Sequence, residues 1–155
     1  MTTEQQSALV EALLRPEAYP DQVSDVELVE TYISYLFLTG RYAYKVKRPV
    51  DYGFLDSTTL EKRHYYCHQE VELNRRLSPE VYLGVVEIRE QNGQYTIDGP
   101  GQTMEYAVKM LQLPRRRAMN AMLREGRYLR VTSAAWPPGL PIFMAGLRPV
   151  LKPPN

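Results

Sequence analysis

The chain has 155 residues, the length of one ordinary domain, so it does not hold two complete catalytic domains. Its 44% hydrophobic and 24% charged residues are typical of a globular protein with a buried core. Apolar runs stay far below the roughly 18 residues of a membrane span, and residues 1–6 do not resemble a secretory signal. We therefore expect a cytoplasmic protein with no membrane partner. One cysteine, Cys67, and two histidines exclude an internal disulfide and a Cys-x-x-Cys zinc site, so we expect no metal site.

Charge is unevenly distributed along the sequence, although the net charge is only +1. Residues 1–105 hold 10 basic and 17 acidic residues, a net charge of −7, whereas residues 106–155 hold nine basic residues and one acid, a net charge of +8. No acidic residue follows Glu125, and six of the twelve prolines lie in residues 137–154. The composition therefore changes near residue 126.

Local patterns predict a mixture of helices and antiparallel strands. Thr3 and Gln6 form a capping signal for the first helix, Thr58 and Glu61 form a capping box for a second one, and Asn92-Gly93 is a hairpin signal. The helices are predicted at 3–14, 58–77 and 114–125, and the strands at 26–31, 33–38, 42–47, 81–89, 94–97 and 104–111.

These elements predict the α+β class, with an antiparallel sheet of five or six strands and one long packed helix. We divide the chain into an N-terminal helix (1–19), a main unit (20–113), a helix that would lead to a further lobe (114–126) and an irregular Pro- and Arg-rich tail (127–155).

A lysine in the third strand and a glutamate in the long helix are the first candidate site residues. Strand alternation puts Ala43, Lys45 and Lys47 on one face, where an ammonium group beside a small residue could lie over a flat ligand and reach its phosphates. Glu70 interrupts an apolar stripe of the long helix formed by Tyr66, Leu73 and Leu77. Because a carboxylate on a buried face needs a cation, we predict that Glu70 pairs with Lys45. The alternative is that either side chain extends into solvent.

Several short runs resemble one known family. Ala43-Tyr44-Lys45 resembles the strand lysine motif of the protein-kinase-like fold, and Glu70 stands near the position of its helix glutamate. The chain over residues 20–125 is similar to the N-terminal lobe of the aminoglycoside phosphotransferase-like branch. More narrowly, it resembles bacterial two-domain proteins that carry a second, P-loop ATP-binding domain. The four runs that carry this resemblance are residues 44–50, 53–56, 73–77 and 82–86.

The resemblance implies a role for individual residues in binding ATP. Lys45 would hold the α and β phosphates, and Glu70 would orient Lys45. Residues 30–34 stand where kinases have a glycine-rich loop. The hydroxyl groups of Thr31 and Ser34 would donate hydrogen bonds to phosphate, or they would simply cap the turn. The strand over 104–110 would border adenine as the hinge, or its methionines would be plain core residues. Three residues of this strand are candidate cofactor-binding residues: Ala107, Lys109 and Met110.

The same resemblance implies that catalysis needs groups from a C-terminal lobe, namely a base and Mg²⁺ ligands. The sequence has no His-x-Asp pattern and no P-loop motif. We therefore expect a fragment of an ATP-dependent small-molecule phosphotransferase, truncated or frameshifted near residues 126–130. Such a fragment would bind nucleotide at most and would have no catalytic residue of its own. The resemblance does not identify the acceptor substrate.

Two other functions are compatible with the sequence. An arginine cluster could bind nucleic acid through phosphate contacts, although the net charge of −7 over residues 1–105 disfavours this. Alternatively, an interaction protein would self-associate through the apolar surface that normally meets a C-terminal lobe. The cluster consists of Arg115, Arg116, Arg117, Arg124, Arg127 and Arg130.

Overall fold

The computed structural model describes residues 3–113, which adopt an α+β fold, as predicted. The helix predicted at 114–126, the tail at 127–155 and the whole arginine cluster lie outside these residues. Within 3–113, neither α-helix is long and apolar enough to cross a membrane. The elements are α1 (Thr3–Leu13), a 3-10 turn (Pro16–Ala18), β1 (Glu27–Glu30), β2 (Ser34–Leu38), β3 (Tyr42–Lys47), α2 (Leu60–Arg75), β4 (Tyr82–Gln91), β5 (Gln94–Ile97) and β6 (Gln102–Leu111).

The six strands form one antiparallel sheet in the order β1-β2-β3-β6-β4-β5. The first three strands are antiparallel, as predicted, and form a meander; β3 has the predicted bounds. The hairpin between β4 and β5 is also confirmed: Asn92 and Gly93 have φ values of 54° and 81°, the left-handed pair that a tight two-residue turn requires. β6 lies between β3 and β4, and therefore joins the meander to the hairpin.

Helix α1 and the 3-10 turn cover one face of the sheet. Leu9 and Leu13 of α1 are buried in a core with Phe37, Tyr44 and Ile88 from three different strands. Tyr19 extends this contact, because its hydroxyl donates to the Leu13 carbonyl oxygen at 2.6 Å. The N-terminal helix therefore shares the core of the sheet.

Helix α2 packs on the opposite face, against β4 and β6. Its buried residues are Arg63, Cys67 and Val71, spaced by four residues. The predicted apolar stripe is wrong at its C-terminal end, because Leu73 is exposed and Leu77 lies beyond the last helical residue with 71% of its surface exposed. The fully buried side chains of α2 include the charged Arg63, so apolar periodicity missed part of the buried face.

The N-cap of α2 is one residue later than predicted. The Thr59 hydroxyl accepts from the Lys62 amide at 3.3 Å, which is the usual N-cap contact. The Thr58 hydroxyl instead donates to Asp56 Oδ1 at 2.7 Å, and the Thr58 amide donates to the same oxygen at 3.1 Å. Asp56 and Thr58 therefore form a turn before the helix. Because the Thr58 hydroxyl bonds to Asp56 in this turn, Thr59 serves as the N-cap.

Candidate functional site: a carboxylate between two lysines

Glu70 of α2 lies between two lysines of β3. Lys45 Nζ is 2.8 Å from Glu70 Oε1, and Lys47 Nζ is 2.7 Å from Glu70 Oε2. The predicted pair of Lys45 and Glu70 is confirmed as a contact. The contact between Lys47 and Glu70 was not predicted, although strand alternation put Lys47 on the same face as Lys45. Both oxygens of the carboxylate are thus bound to ammonium groups.

Two features of the backbone bring these side chains together. Lys45 and Lys47 are two residues apart in a strand, so their side chains leave the same face about 7 Å apart. Glu70 follows Arg63 by seven residues, or two helical turns, and therefore lies on nearly the same side of α2. The position of Glu70 over β3 thus depends on what holds Arg63.

Arg63 is held by a buried network near the start of α2. Its Nε donates to Glu105 Oε2 at 2.7 Å, and one terminal nitrogen donates to the carbonyl oxygens of Ser57 and Thr58, each at 2.9 Å. Arg63 and Glu105 are both almost fully buried. Burial raises the pKa of Glu105, while Arg63 and the Tyr106 amide act in the opposite direction. This network fixes α2 to β6 and to the segment before the helix.

The balance of charge at Glu70 favours its ionised form. Burial by itself raises the pKa of Glu70, but the charges and hydrogen bonds of Lys45 and Lys47 outweigh it, so the pKa lies below its ordinary value. One carboxylate faces two ammonium groups, which leaves these three side chains with a net charge of +1. The exposed fractions of the side chains are 26% for Lys45, 16% for Lys47 and 14% for Glu70, so water screens this charge only in part.

This lowered pKa predicts how Glu70 contributes to stability as the pH changes. The folded-state pKa lies below the unfolded value of about 4.3, so the contribution is complete above about pH 5 and is lost as the pH falls through the folded-state pKa. We expect the difference in unfolding free energy between the native protein and Glu70→Gln to stay constant from pH 7 to 5. It should shrink below pH 4. Urea unfolding at each pH measures it, and a difference that grows on acidification would contradict the ion pair.

A strip of apolar residues lies on the same face of the sheet, next to the lysines. Cross-strand register puts Val29 and Leu36 in line with Lys45. The next row contains Leu38, Ala43 and Met110, of which Ala43 is buried and the other two are half-buried. Val29, on the edge strand β1, is exposed, whereas Met110 packs against the cluster of Cys67, Val71 and Val108 under α2. Ala43 and Met110 were predicted site residues, whereas Val29, Leu36 and Leu38 were not.

The turn between β1 and β2 uses its hydroxyl groups internally. Thr31 Oγ1 accepts from the Ser34 amide at 2.9 Å and lies 2.9 Å from Ser34 Oγ. It also lies 3.0 Å from the Ser34 carbonyl oxygen, and Ser34 is buried. Thr31 and Ser34 therefore cap the turn through these contacts.

The three candidates in β6 lie on different sides of a central strand. The backbones of Ala107 and Met110 pair with both neighbouring strands, β3 and β4. The Ala107 side chain is buried in the core that contains Leu9 and Leu13 of α1. The Met110 side chain lies beside Ala43 on the face of the lysines. Lys109 lies on the opposite face, where its Nζ is 3.4 Å from Asp21 Oδ2 and 4.2 Å from the centre of the Tyr42 ring. The structure thus brings Met110, but not the Lys109 side chain, to the site.

The histidines and the cysteine of α2 form no larger cluster. Cys67 is fully buried, and burial raises the pKa of its thiol to about 12. The Nε2 atoms of His64 and His68 lie 3.0 Å apart, and the His64 ring packs on Tyr106 with ring centres 4.2 Å apart. In the part of the chain that the structure describes, no three His, Cys, Asp or Glu side chains are grouped as a metal site.

Comparisons with known proteins give relatives but no established activity. The chain is 37% identical over 68 residues to an uncharacterized protein of Mycobacterium bovis, and equally to uncharacterized proteins of two Mycobacterium tuberculosis strains. The matched segment is 44% of this chain and only 14% of each relative, so the chain spans a small part of the proteins it matches. No family model and no solved structure matches the chain.

Proposed function

We propose that residues 20–113 form a nucleotide-binding lobe of the protein-kinase-like type, in which Lys45 binds the phosphates of ATP. The observation that carries the proposal is the ion pair between Lys45 of β3 and Glu70 of α2, two elements that meet at a half-buried position. A lysine held by a carboxylate in this way keeps a fixed direction, and its ammonium group can donate to phosphate oxygens.

The surroundings of Lys45 fit both parts of a nucleotide. Val29, Leu36 and Leu38, which are exposed or half-buried, offer apolar area for a flat base beside the buried Ala43. Beside it, the half-buried net charge of +1 favours an anion. Apolar area next to a few convergent polar groups is the usual make-up of a small-molecule site.

Phosphoryl transfer needs more than this lobe supplies. Bound Mg²⁺ would neutralise charge on the phosphates, but residues 3–113 contain no cluster of carboxylates to hold it. We therefore assign binding, and not catalysis, to the described residues. In intact relatives of this type, a further lobe would supply the base and the Mg²⁺ ligands and would bind the acceptor substrate.

Titration of the full chain with ATP tests this function. We expect saturable binding by isothermal titration calorimetry, with and without Mg²⁺. Lys45→Ala should weaken it roughly ten- to hundredfold, which is the loss expected for one hydrogen bond to a charged group. Glu70 keeps Lys47 as a partner in this variant, so the fold should survive.

Lys62→Ala is the matched control, because Lys62 is exposed and forms an ion pair with Asp56 away from Glu70. Its affinity for ATP should equal that of the native protein. Absence of ATP binding at millimolar concentrations, or equal loss in Lys45→Ala and Lys62→Ala, would disprove the proposed site.

A further inference from the structure

We infer that Lys47 is a second phosphate-binding residue and that the site is built for a chain of phosphates rather than for a single one. The two lysines bind different oxygens of Glu70, so neither ammonium group is fully neutralised by it. The role assigned to Lys47 rests on the nucleotide-binding function proposed above. It adds a specificity that Lys45 alone would not give.

The direction of β3 orders the groups along the site. Ala43, at one end, lies in the apolar row with Leu38 and Met110. Lys45 comes next, and Lys47 is furthest from the apolar end, opposite Ser34 at the start of β2. A nucleotide whose base lies on the apolar row would therefore extend its phosphates past Lys45 and then towards Lys47.

The contacts at Glu70 leave both ammonium groups able to bind an anion. Each nitrogen has three donors, so one can face the carboxylate while others face the ligand. Because both ammonium groups already meet on one carboxylate, one phosphate group could also contact both, and their spacing carries no preference. The preference for a longer phosphate chain follows instead from the order along β3, in which Lys45 lies nearer to the apolar row than Lys47.

Competition experiments on the full chain test this assignment. Inorganic tripolyphosphate, ATP, ADP and AMP would each displace a fluorescent ATP analogue at constant ionic strength, because screening weakens all anion binding. For the native protein we expect affinity to rise from AMP to ADP to ATP. Lys47→Ala should weaken ATP and tripolyphosphate binding about tenfold while AMP binding changes less than twofold, and Lys47→Arg should retain most of the preference.

The outcomes separate this inference from the proposed function. If ATP binds and requires Lys45, but Lys47→Ala leaves the preference for ATP over AMP unchanged, the role of Lys47 is wrong and nucleotide binding stands. If tripolyphosphate binds as tightly as ATP and both need Lys47, the two-lysine site stands and the base-binding strip is wrong. If neither anion binds, both assignments fail.

Discussion

Replacing Arg63 by alanine is expected to lower the free energy of unfolding by about 3–5 kcal/mol. The variant leaves Glu105 buried without its cation, and it also leaves the carbonyl oxygens of Ser57 and Thr58 without their donor. Urea denaturation followed by circular dichroism measures the loss.

Arg76→Ala is the control for this change. Arg76 pairs with Glu72 at 3.6 Å, but both side chains are about two-thirds exposed, so the loss should stay below about 1 kcal/mol. The double variant Arg63→Met, Glu105→Leu should recover part of the stability, because it removes the unpaired charge but not the two unpaired carbonyl oxygens. Equal effects of Arg63→Ala and Arg76→Ala would contradict the buried network.

Phe37→Ala is expected to cost about 3–5 kcal/mol through a different mechanism. The Phe37 side chain is completely buried between α1 and the sheet, so its removal leaves a cavity as well as a loss of apolar burial. Thermal unfolding or urea denaturation of the full chain measures it.

Phe54→Ala makes the same chemical change at an exposed position. Phe54 is 82% exposed and stacks on Tyr52, with ring centres 6.2 Å apart. We expect a change within about 0.5 kcal/mol. A Phe54 variant as unstable as the Phe37 variant would mean that the core does not lie where the structure has it.

The sequence predicted most of the fold because the strands carry strong local signals. Asn92-Gly93 fixes the turn between β4 and β5, and the alternation in β3 correctly put Ala43, Lys45 and Lys47 on one face. The position of β6 between β3 and β4 was not predicted, because strand order depends on pairing between distant residues that leaves no local pattern. The buried position of Arg63 on α2 was also not predicted. Arg63 is buried because Glu105 and two backbone carbonyl oxygens bind its guanidinium group, and apolar periodicity does not detect such contacts.

The candidate site was predicted in part for the same reasons. Lys45 and Glu70 could be paired because each had a definite place on its own element, and a buried carboxylate requires a cation. Lys47 carried the same signal and was not assigned to Glu70. Lys109 was included through the resemblance of β6 to a hinge strand, whereas its side chain lies on the face with Tyr42 and Asp21.

The order of the strands has a consequence for the way the chain can fold. Residues 27–47 and 82–97 form two separate sets of paired strands, and neither has its inner neighbour until residues 102–111 are available. During synthesis, β3 and β4 would therefore present two unpaired edges until β6 leaves the ribosome and closes both at once. Unpaired edges of this kind are templates for association with other chains. The sheet is thus completed late, by long-range pairing, and aggregation competes with folding most strongly just before β6 is made.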